Sequence, residues 1–219
     1  MYTYNKISRG NNFTMIRLLI VEDDIGWLKS MSIFLAKEED IIITGTASGR
    51  EMAVEAARVH SPDVILMDIN LNGNRYDGII AAAEIAQFSS AKTIMMTSLR
   101  DRDIIIDSFS AGAVNYIPKE RFIEIPATIR SVMQSETPME VLLKEYSRLK
   151  KEEQLSVLTT SEREVFDLLG KGFKKHEIEA KLFKTDNTVR SQVKGILRKM
   201  GVKSSREALI KVESGGIIK

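Results

Sequence analysis

The chain has 219 residues, 43% of them hydrophobic and 28% charged, a composition typical of a globular protein with one large domain or two modest ones. It contains no cysteine, which excludes disulfides and thiolate metal sites. No apolar run approaches the roughly 20 residues that cross a bilayer, and residues 1–14 are too polar for a signal peptide. We therefore expect a cytoplasmic protein with a mobile leader.

The overall charge of +2 hides a division between two parts of the chain. Residues 156–219 carry 14 Lys and Arg against 8 Asp and Glu, whereas residues 1–155 carry 18 against 22. A basic C-terminal segment on an acidic body favours a nucleic-acid partner for that segment. A solvated basic helix face would have the same charge, so this hypothesis needs a motif to support it.

From residue 16 to residue 134, apolar runs with the length of strands alternate with segments of helical periodicity. Strands are predicted at residues 16–21, 41–46, 63–67, 93–97 and 114–117, and helices at residues 26–37, 50–59, 78–88, 103–110 and 122–134. Parallel strands need crossover connections, which these helices would supply. The alternation predicts a doubly wound α/β domain with a five-stranded parallel sheet over residues 15–134.

The character of the sequence changes after residue 134. Residues 135–156 are charged with apolar positions at helical spacing, which favours an exposed amphipathic linker helix over a partner-binding stripe. Residues 157–219 hold four further helices, predicted at residues 161–169, 175–182, 185–200 and 204–212. Two candidate cap pairs lie at the start of the first of them, Thr160 with Arg163 or Ser161 with Glu164, and the second pair has the capping-box form. We expect a second, all-α domain of four helices.

Polar side chains close several of the predicted strands. Asp68 directly follows the buried run at residues 64–67, where the carboxyl ends of parallel strands bind ligands. The other strand ends supply Asp23 and Asp24, Thr97, and Lys119. Three clustered acids repel one another unless a cation neutralises them, and oxygen donors without His or Cys select Mg²⁺. The hydroxyl and the ammonium suit a phosphoryl group, which a carboxylate can accept as an acyl phosphate. A structural ion-pair cluster is the alternative.

In order and spacing, these residues resemble the receiver domain of two-component response regulators over about residues 16–134. The resemblance implies a flavodoxin-like fold for this domain. The resemblance implies that Asp68 is the phosphoacceptor, that Thr97 and Lys119 bind the phosphoryl group, and that Tyr116 is the switch aromatic. It implies metal ligation by Asp24 and Asp68 directly, by Asp23 through water, and by the backbone carbonyl of Asn70. Two departures are the longer, proline-free loop at residues 70–78 and the position of Pro118 before rather than after the lysine.

The second domain contains a short helix, a tight turn and a longer helix, which is the arrangement of a helix-turn-helix. Arg190, Ser191 and Lys194 lie in the half of the longer helix that reads base edges. The motif pieces Thr188-Val189-Arg190 and Lys199-Met200-Gly201-Val202 resemble the LuxR-type helix-turn-helix, over about residues 156–214. The predicted DNA-binding set is Lys184, Thr185, Thr188, Arg190, Ser191, Lys194, Arg198 and Lys199. The sequence departs from that family at Glu179 and Gln192.

A receiver joined to this module resembles the NarL/FixJ class of response regulators. The resemblance implies a transcription factor, not an enzyme, that a sensor histidine kinase phosphorylates on Asp68. We expect the active form to be a homodimer that reads two promoter half-sites. One alternative is a phosphorylation-independent DNA-binding protein with a vestigial receiver. The other is a phosphotransferase of the haloacid dehalogenase type, whose second Asp would stand where this chain has Asn70.

Overall fold

The computed structural model describes residues 15–98, 101–134 and 138–216, so the predicted leader at residues 1–14 lies outside the described residues. The strands are β1 Ile16–Val21, β2 Ile41–Ala47, β3 Val64–Asp68, β4 Lys92–Thr97 and β5 Asn115–Pro118. The helices are α1 Ile25–Leu35, α2 Arg50–His60, α3 Asp77–Ile85, α4 Arg102–Ser110, α5 Ile125–Met133, α6 Pro138–Leu155, α7 Thr160–Gly170, α8 Lys175–Leu182, α9 Asp186–Met200 and α10 Ser205–Glu213. Within the described ranges, no helix has both the length and the apolar character that a bilayer span requires.

The five strands form one parallel sheet in the order β2-β1-β3-β4-β5, and the predicted doubly wound fold is confirmed. Successive side chains of a strand point to opposite faces, so the sheet has two apolar cores. Leu19 and Met67 pack against α2, α3 and α4, while Leu18 and Leu66 pack against α1 and α5. The inner strands β1, β3 and β4 are buried on both faces over most of their length, which explains their nearly continuous apolar sequences.

The last receiver helix begins later than the periodicity predicts. The segment Lys119–Glu124 forms a 3₁₀ turn, and regular helix starts only at Ile125. Pro126 explains the difference, because its ring removes an N–H donor and is tolerated only in the first turn of an α-helix. Lys119 consequently lies in a tight turn directly after β5, at the edge of the sheet.

The four C-terminal helices α7 to α10 surround a third core that includes Val165, Ile178, Val189 and Ile196. The capping box of α7 lies earlier than predicted, so the assignment to Ser161 and Glu164 is wrong. Thr159 Oγ1 accepts from the Glu162 N–H at 3.3 Å, and Glu162 Oε2 accepts from the Thr159 N–H at 2.8 Å. Ser161 is thereby left to contact other helices of the domain.

The C-terminal domain docks on the receiver through α10. Arg206 donates to Glu84 at 2.7 Å, and this buried carboxylate on α3 also binds Arg50 on α2. Gly215, which has a φ of +67°, packs so closely on α4 that a Cβ would lie 2.8 Å from Ser110 Cβ. The docked surface therefore touches α3 and α4 of the α/β domain as well as α6.

Candidate functional site: an acidic edge and a basic helix

The first site lies at the carboxyl edge of the sheet, where the register of the strands aligns four chain segments. Val21 pairs with Met67, which brings the next residues, Glu22 and Asp68, side by side. Thr97 ends β4 and is buried, as are both of these acids. Lys119 follows β5. The sheet therefore brings acids, a hydroxyl and an ammonium together at one edge, as expected for Asp68, Thr97 and Lys119.

Lys119 joins the two buried acids. Its Nζ lies 2.6 Å from Glu22 Oε2 and 2.9 Å from Asp68 Oδ2, and the same ammonium lies 5.0 Å from the centre of the Trp27 ring. Burial lowers the pKa of Lys119, but its bonds to Glu22 and Asp68 outweigh burial and hold the pKa above its usual value. Lys119 is therefore a permanent positive charge at this edge.

Glu22 is fully buried, and its pKa is shifted far from the usual value of a glutamate. Burial raises the pKa of Glu22 to about 7, and the neighbouring Asp68 carboxylate adds to the rise against the opposing effect of Lys119. Among the described residues, no donor is aligned to hydrogen-bond Glu22 Oε2, although the Lys119 ammonium lies close to it. An additional cation at this oxygen would relieve the electrostatic cost of its burial.

Glu22, Asp23 and Asp68 each place a carboxylate oxygen within 4.8 Å of the other two. Asp23 is fixed by the Asn72 N–H, which donates to its Oδ2 at 2.9 Å. The Asn70 N–H points toward Asp68 Oδ1 at 3.4 Å, while ligation by the Asn70 carbonyl remains a prediction. Three hard oxygen donors gathered at one edge of the sheet fit Mg²⁺.

Asp24 does not join this cluster, contrary to the prediction that it is a direct metal ligand. It is the N-cap of α1, and its Oδ1 accepts from the Trp27 N–H at 3.0 Å. Sequence reasoning missed Glu22 because three consecutive acids follow β1, and only the pairing of Val21 with Met67 decides which of them faces Asp68. The acidic set is therefore displaced by one residue from the expected one.

A second missed residue is Gly78, at the start of α3. A Cβ on Gly78 would lie 1.9 Å from the Asp68 carbonyl oxygen, and its N–H donates to the Ile69 carbonyl at 3.1 Å. The backbone after Asp68 is therefore held by a contact that only glycine permits. The signal in the sequence was a glycine at the end of the long loop that follows the candidate phosphoacceptor.

Tyr116, the predicted switch aromatic, is half-buried on β5 and packs against the core that faces α4. Its strand neighbour is Met95, two residues before Thr97. Thr97 and Tyr116 therefore lie on adjacent strands near the acidic edge, and their role as a switch pair stays a prediction.

The second site is the outer face of α9. Val189, Val193 and Ile196 are buried on the inner face of this helix. The side chains of Thr185, Thr188, Arg190, Ser191, Lys194 and Arg198 are exposed. At 3.6 residues per turn, Arg190, Ser191, Lys194 and Arg198 lie within an arc of about 100°. Thr185 caps the helix by accepting from the Thr188 N–H at 3.3 Å.

Two predicted DNA contacts lie elsewhere. Lys184 donates to Ser161 at 2.8 Å, and Lys199 Nζ lies 2.6 Å from Glu162 Oε2 on α7. Burial opposes ionisation of Glu162, but its bonds to Lys199 and Thr159 prevail and hold its pKa below the usual value. Both lysines stabilise the domain in this structure, and a phosphate contact would require them to exchange these bonds.

Comparison with known proteins follows the same division of the chain. Residues 18–130 match the family described as response regulator receiver domain, and residues 156–212 match the bacterial regulatory proteins of the luxR family. The transcriptional regulatory protein LiaR of Bacillus subtilis is 34% identical over 90% of this chain and 96% of its own length. The response regulator protein VraR of Staphylococcus epidermidis is 30% identical over 89% and 95%.

Solved structures show the same folds. The response regulator domain of Thermotoga maritima CheB matches with a TM-score of 0.52 and 28% identity, covering 56% of this chain and 99% of that one. Salmonella typhimurium RcsB matches with a TM-score of 0.52 and 21% identity, over 93% of this chain and 100% of that one.

Proposed function

The chain belongs to the response regulators that join a receiver domain to a LuxR-type DNA-binding domain, and from this premise we propose that phosphorylation of Asp68 controls its binding to promoter DNA. The observation that carries the proposal is the cluster of Glu22, Asp23 and Asp68 beside Lys119. A vestigial receiver would have no need to keep three acids and a lysine at one sheet edge. The haloacid dehalogenase alternative lacks its second carboxylate, since Asn70 stands there.

The proposed reaction is phosphoryl transfer from a phosphohistidine of a sensor kinase. An Asp68 carboxylate oxygen attacks phosphorus, the bond from phosphorus to the histidine nitrogen breaks, and an acyl phosphate forms. Lys119 donates to Asp68 Oδ2 at 2.9 Å, which holds this carboxylate at the edge of the sheet. Lys119 and the Thr97 hydroxyl then lie where they can donate to the phosphoryl oxygens.

We assign Glu22, Asp23 and Asp68 as the residues that would hold Mg²⁺. The ion supplies positive charge that offsets the negative charge of the phosphoryl group during transfer. Glu22 gains most from it, since this buried acid has an oxygen with no aligned donor among the described residues. Asp24 keeps its separate role as the cap of α1.

The proposed switch uses Thr97, Lys119 and Tyr116. Phosphorylation draws the first two toward the new oxyanions, which opens space beside β4 for the half-buried ring of Tyr116. This movement would affect the second domain by changing how the two domains dock, because Ser110 at the end of α4 contacts Gly215, which follows α10.

A labelling experiment with acetyl phosphate and Phos-tag electrophoresis tests the site. Asp68→Asn abolishes labelling, because an amide cannot form an acyl phosphate. Glu22→Gln and Asp23→Asn lower the Mg²⁺-dependent rate. Asp24→Asn is the matched control and keeps the wild-type rate, since Asn caps a helix as well as Asp does. If Asp68→Asn is labelled as fully as wild type, Asp68 is not the phosphoacceptor. If only Asp24→Asn loses labelling, Asp24 is a Mg²⁺ ligand, as the sequence predicted.

We further propose that Arg190, Ser191 and Lys194 read bases while Arg198 contacts phosphates. Arg190 is exposed, and within the described ranges its ion pair is with Asp186 on the same helix, at 2.8 Å. It can exchange this partner for a base edge at little cost. Arg190→Ala lowers the preference for the operator by about 1–3 kcal/mol, whereas Arg198→Ala weakens every sequence alike. Competition binding at several salt concentrations separates the two, and equal losses on specific and random DNA for Arg190→Ala would contradict base reading.

The active form is proposed to be a homodimer in the cytoplasm. One domain offers a single reading helix, so two linked copies gain affinity through effective concentration. Their half-sites are expected about one helical turn, roughly 10 base pairs, apart or at a multiple of it. Light scattering and footprinting of labelled and unlabelled protein test this proposal. A labelled protein that stays monomeric and protects one unrepeated half-site refutes it.

A further inference from the structure

Helix α6, which joins the two domains, is held on one of its faces. Glu140 is buried and its Oε2 lies 3.3 Å from Lys92 Nζ. Seven residues further along the same face, Ser147 donates to the Phe109 carbonyl at 2.6 Å. At the end of the helix, Leu155 packs into the core of the C-terminal domain. These contacts fix the rotation of α6 about its axis and so determine which residues face away from the protein.

The opposite side of α6 carries an apolar stripe, which we call the outer stripe. It consists of Met139, Leu142, Tyr146 and Leu149. Met139, Leu142 and Leu149 are 62%, 66% and 53% exposed, and Tyr146 is half-buried between them. Their spacings of three, four and three residues are those of the a and d positions of a coiled coil. Large apolar side chains aligned in this way mark an interaction surface.

The charges beside the outer stripe select its occupant. With Met139 at an a position, Glu145 and Glu152 take g positions and Lys150 takes an e position. In a parallel pair of helices, a g residue faces the following e residue of the partner, so Glu145 of each copy meets Lys150 of the other. An antiparallel pair sets the glutamates against each other. The pattern is therefore self-complementary in the parallel orientation only.

The present partners of Glu145 and Lys150 are weak, whereas Glu152 pairs with Arg163 on α7 at 2.6 Å. Glu145 pairs with Arg148 at 2.7 Å and Lys150 with Glu153 at 2.9 Å, both between exposed side chains on the same helix. Such surface pairs contribute little and can exchange for intermolecular ones.

We propose that the outer stripe of α6 is a parallel self-association surface occupied by α6 of a second copy of this chain. The inference rests on the proposed dimer and names the surface that forms it. An 18-residue helix is about 27 Å long, which gives a weak pair on its own. The pair forms when phosphorylated receivers or adjacent half-sites bring two copies together, and its parallel orientation places both DNA-binding domains at the same end.

Cysteine cross-linking tests the orientation, because the chain has no cysteine of its own. In a parallel pair, Met139→Cys faces its own copy and forms a disulfide when labelled protein is oxidised. In an antiparallel pair, the same residue lies about 15 Å from its copy and opposes position 149. Val141→Cys is the control, since Val141 is 52% exposed on the same helix but outside the stripe. We expect cross-linking at 139 to be about tenfold faster than at 141.

Sedimentation of the labelled full chain tests the contribution of the stripe. Leu142→Glu with Leu149→Glu is expected to raise the dimer dissociation constant about tenfold or more, and Val141→Glu less than about twofold. A dimer that forms equally well in the double variant, with no cross-link at 139, overturns this inference and leaves the proposed dimer intact. If the double variant loses transcription but still self-associates, the outer stripe binds another protein, and the proposed self-association surface is again overturned. A wild-type chain that is monomeric when labelled and on DNA refutes the dimer itself.

Discussion

Replacing Lys119 by methionine removes the one charge that lies between two buried carboxylates while it keeps most of the side-chain volume. Lys119 Nζ is 2.6 Å from Glu22 Oε2 and 2.9 Å from Asp68 Oδ2, and both acids are nearly inaccessible to solvent. Without the ammonium, the two acids face each other across the same space. We expect Lys119→Met to destabilise the receiver strongly in the absence of divalent cations.

The magnitude follows from the burial of the pair. Attraction between unit charges about 4 Å apart is on the order of 4 kcal/mol at an effective dielectric constant of about 20. Removing one partner of a buried pair costs about 3–5 kcal/mol, because the other charge is left uncompensated. We therefore expect the free energy of unfolding to fall by about 3–5 kcal/mol in EDTA. If loss of the ammonium also tightens Mg²⁺ binding tenfold, saturating Mg²⁺ restores about 1.4 kcal/mol of the deficit.

Urea unfolding followed by tryptophan fluorescence measures this effect. Trp27 is the single tryptophan of the chain, and its ring centre lies 5.0 Å from Lys119 Nζ. Its emission therefore reports both receiver unfolding and Mg²⁺ binding. The matched control is Lys29→Met on the exposed side of α1, for which a change below about 0.5 kcal/mol is expected. A Lys119→Met variant as stable as wild type in EDTA, or a deficit that Mg²⁺ leaves unchanged, refutes the reasoning.

Three further predictions concern other contacts. Gly78→Ala is expected to cost about 3 kcal/mol in urea unfolding, because its Cβ would overlap the Asp68 carbonyl; Gly73→Ala, which meets no neighbour, costs only the strain of its φ of +77°. Arg206→Met loosens domain docking and raises hydrogen exchange in α10 about fivefold, since the contact to Glu84 is lost; unchanged exchange contradicts that docking contact. Lys199→Met is expected to lower the stability of the C-terminal domain by about 1–2 kcal/mol, because Glu162 loses its ion-pair partner. If the melting curve is unchanged and DNA binding is weaker, Lys199 contacts phosphates, as the sequence predicted.

The sequence was sufficient for the element order, because each strand is a nearly continuous apolar run and each helix repeats its apolar residues at 3.6-residue spacing. It was insufficient wherever the choice lay between adjacent residues of like chemistry. Glu22, Asp23 and Asp24 are equivalent in sequence, and strand register separates them. The α7 cap is a similar case, since three consecutive hydroxyl residues, Thr159 to Ser161, precede candidate acidic partners.

Contacts between distant segments lay beyond local pattern altogether. Arg206 and Glu84 are 122 residues apart and meet only because the C-terminal domain docks on α3. Likewise, Lys199 looks like any exposed cation of a basic helix, and its bond to Glu162 depends on how α7 and α9 pack. Periodicity identifies the face of a helix, whereas the partner on that face is a property of the tertiary structure.

Docking through α10 leaves the basic face of α9 uncovered, with Arg190, Ser191, Lys194 and Arg198 all exposed. Attraction to the phosphate backbone needs only such a face and no particular sequence. An unphosphorylated copy should therefore spend much of its time on the chromosome, sliding over unrelated DNA. If the proposed dimer forms on promoter DNA, the delay between signal and promoter occupancy would be set by the pairing of copies that are already bound to DNA, because they have no need to diffuse through the cell first.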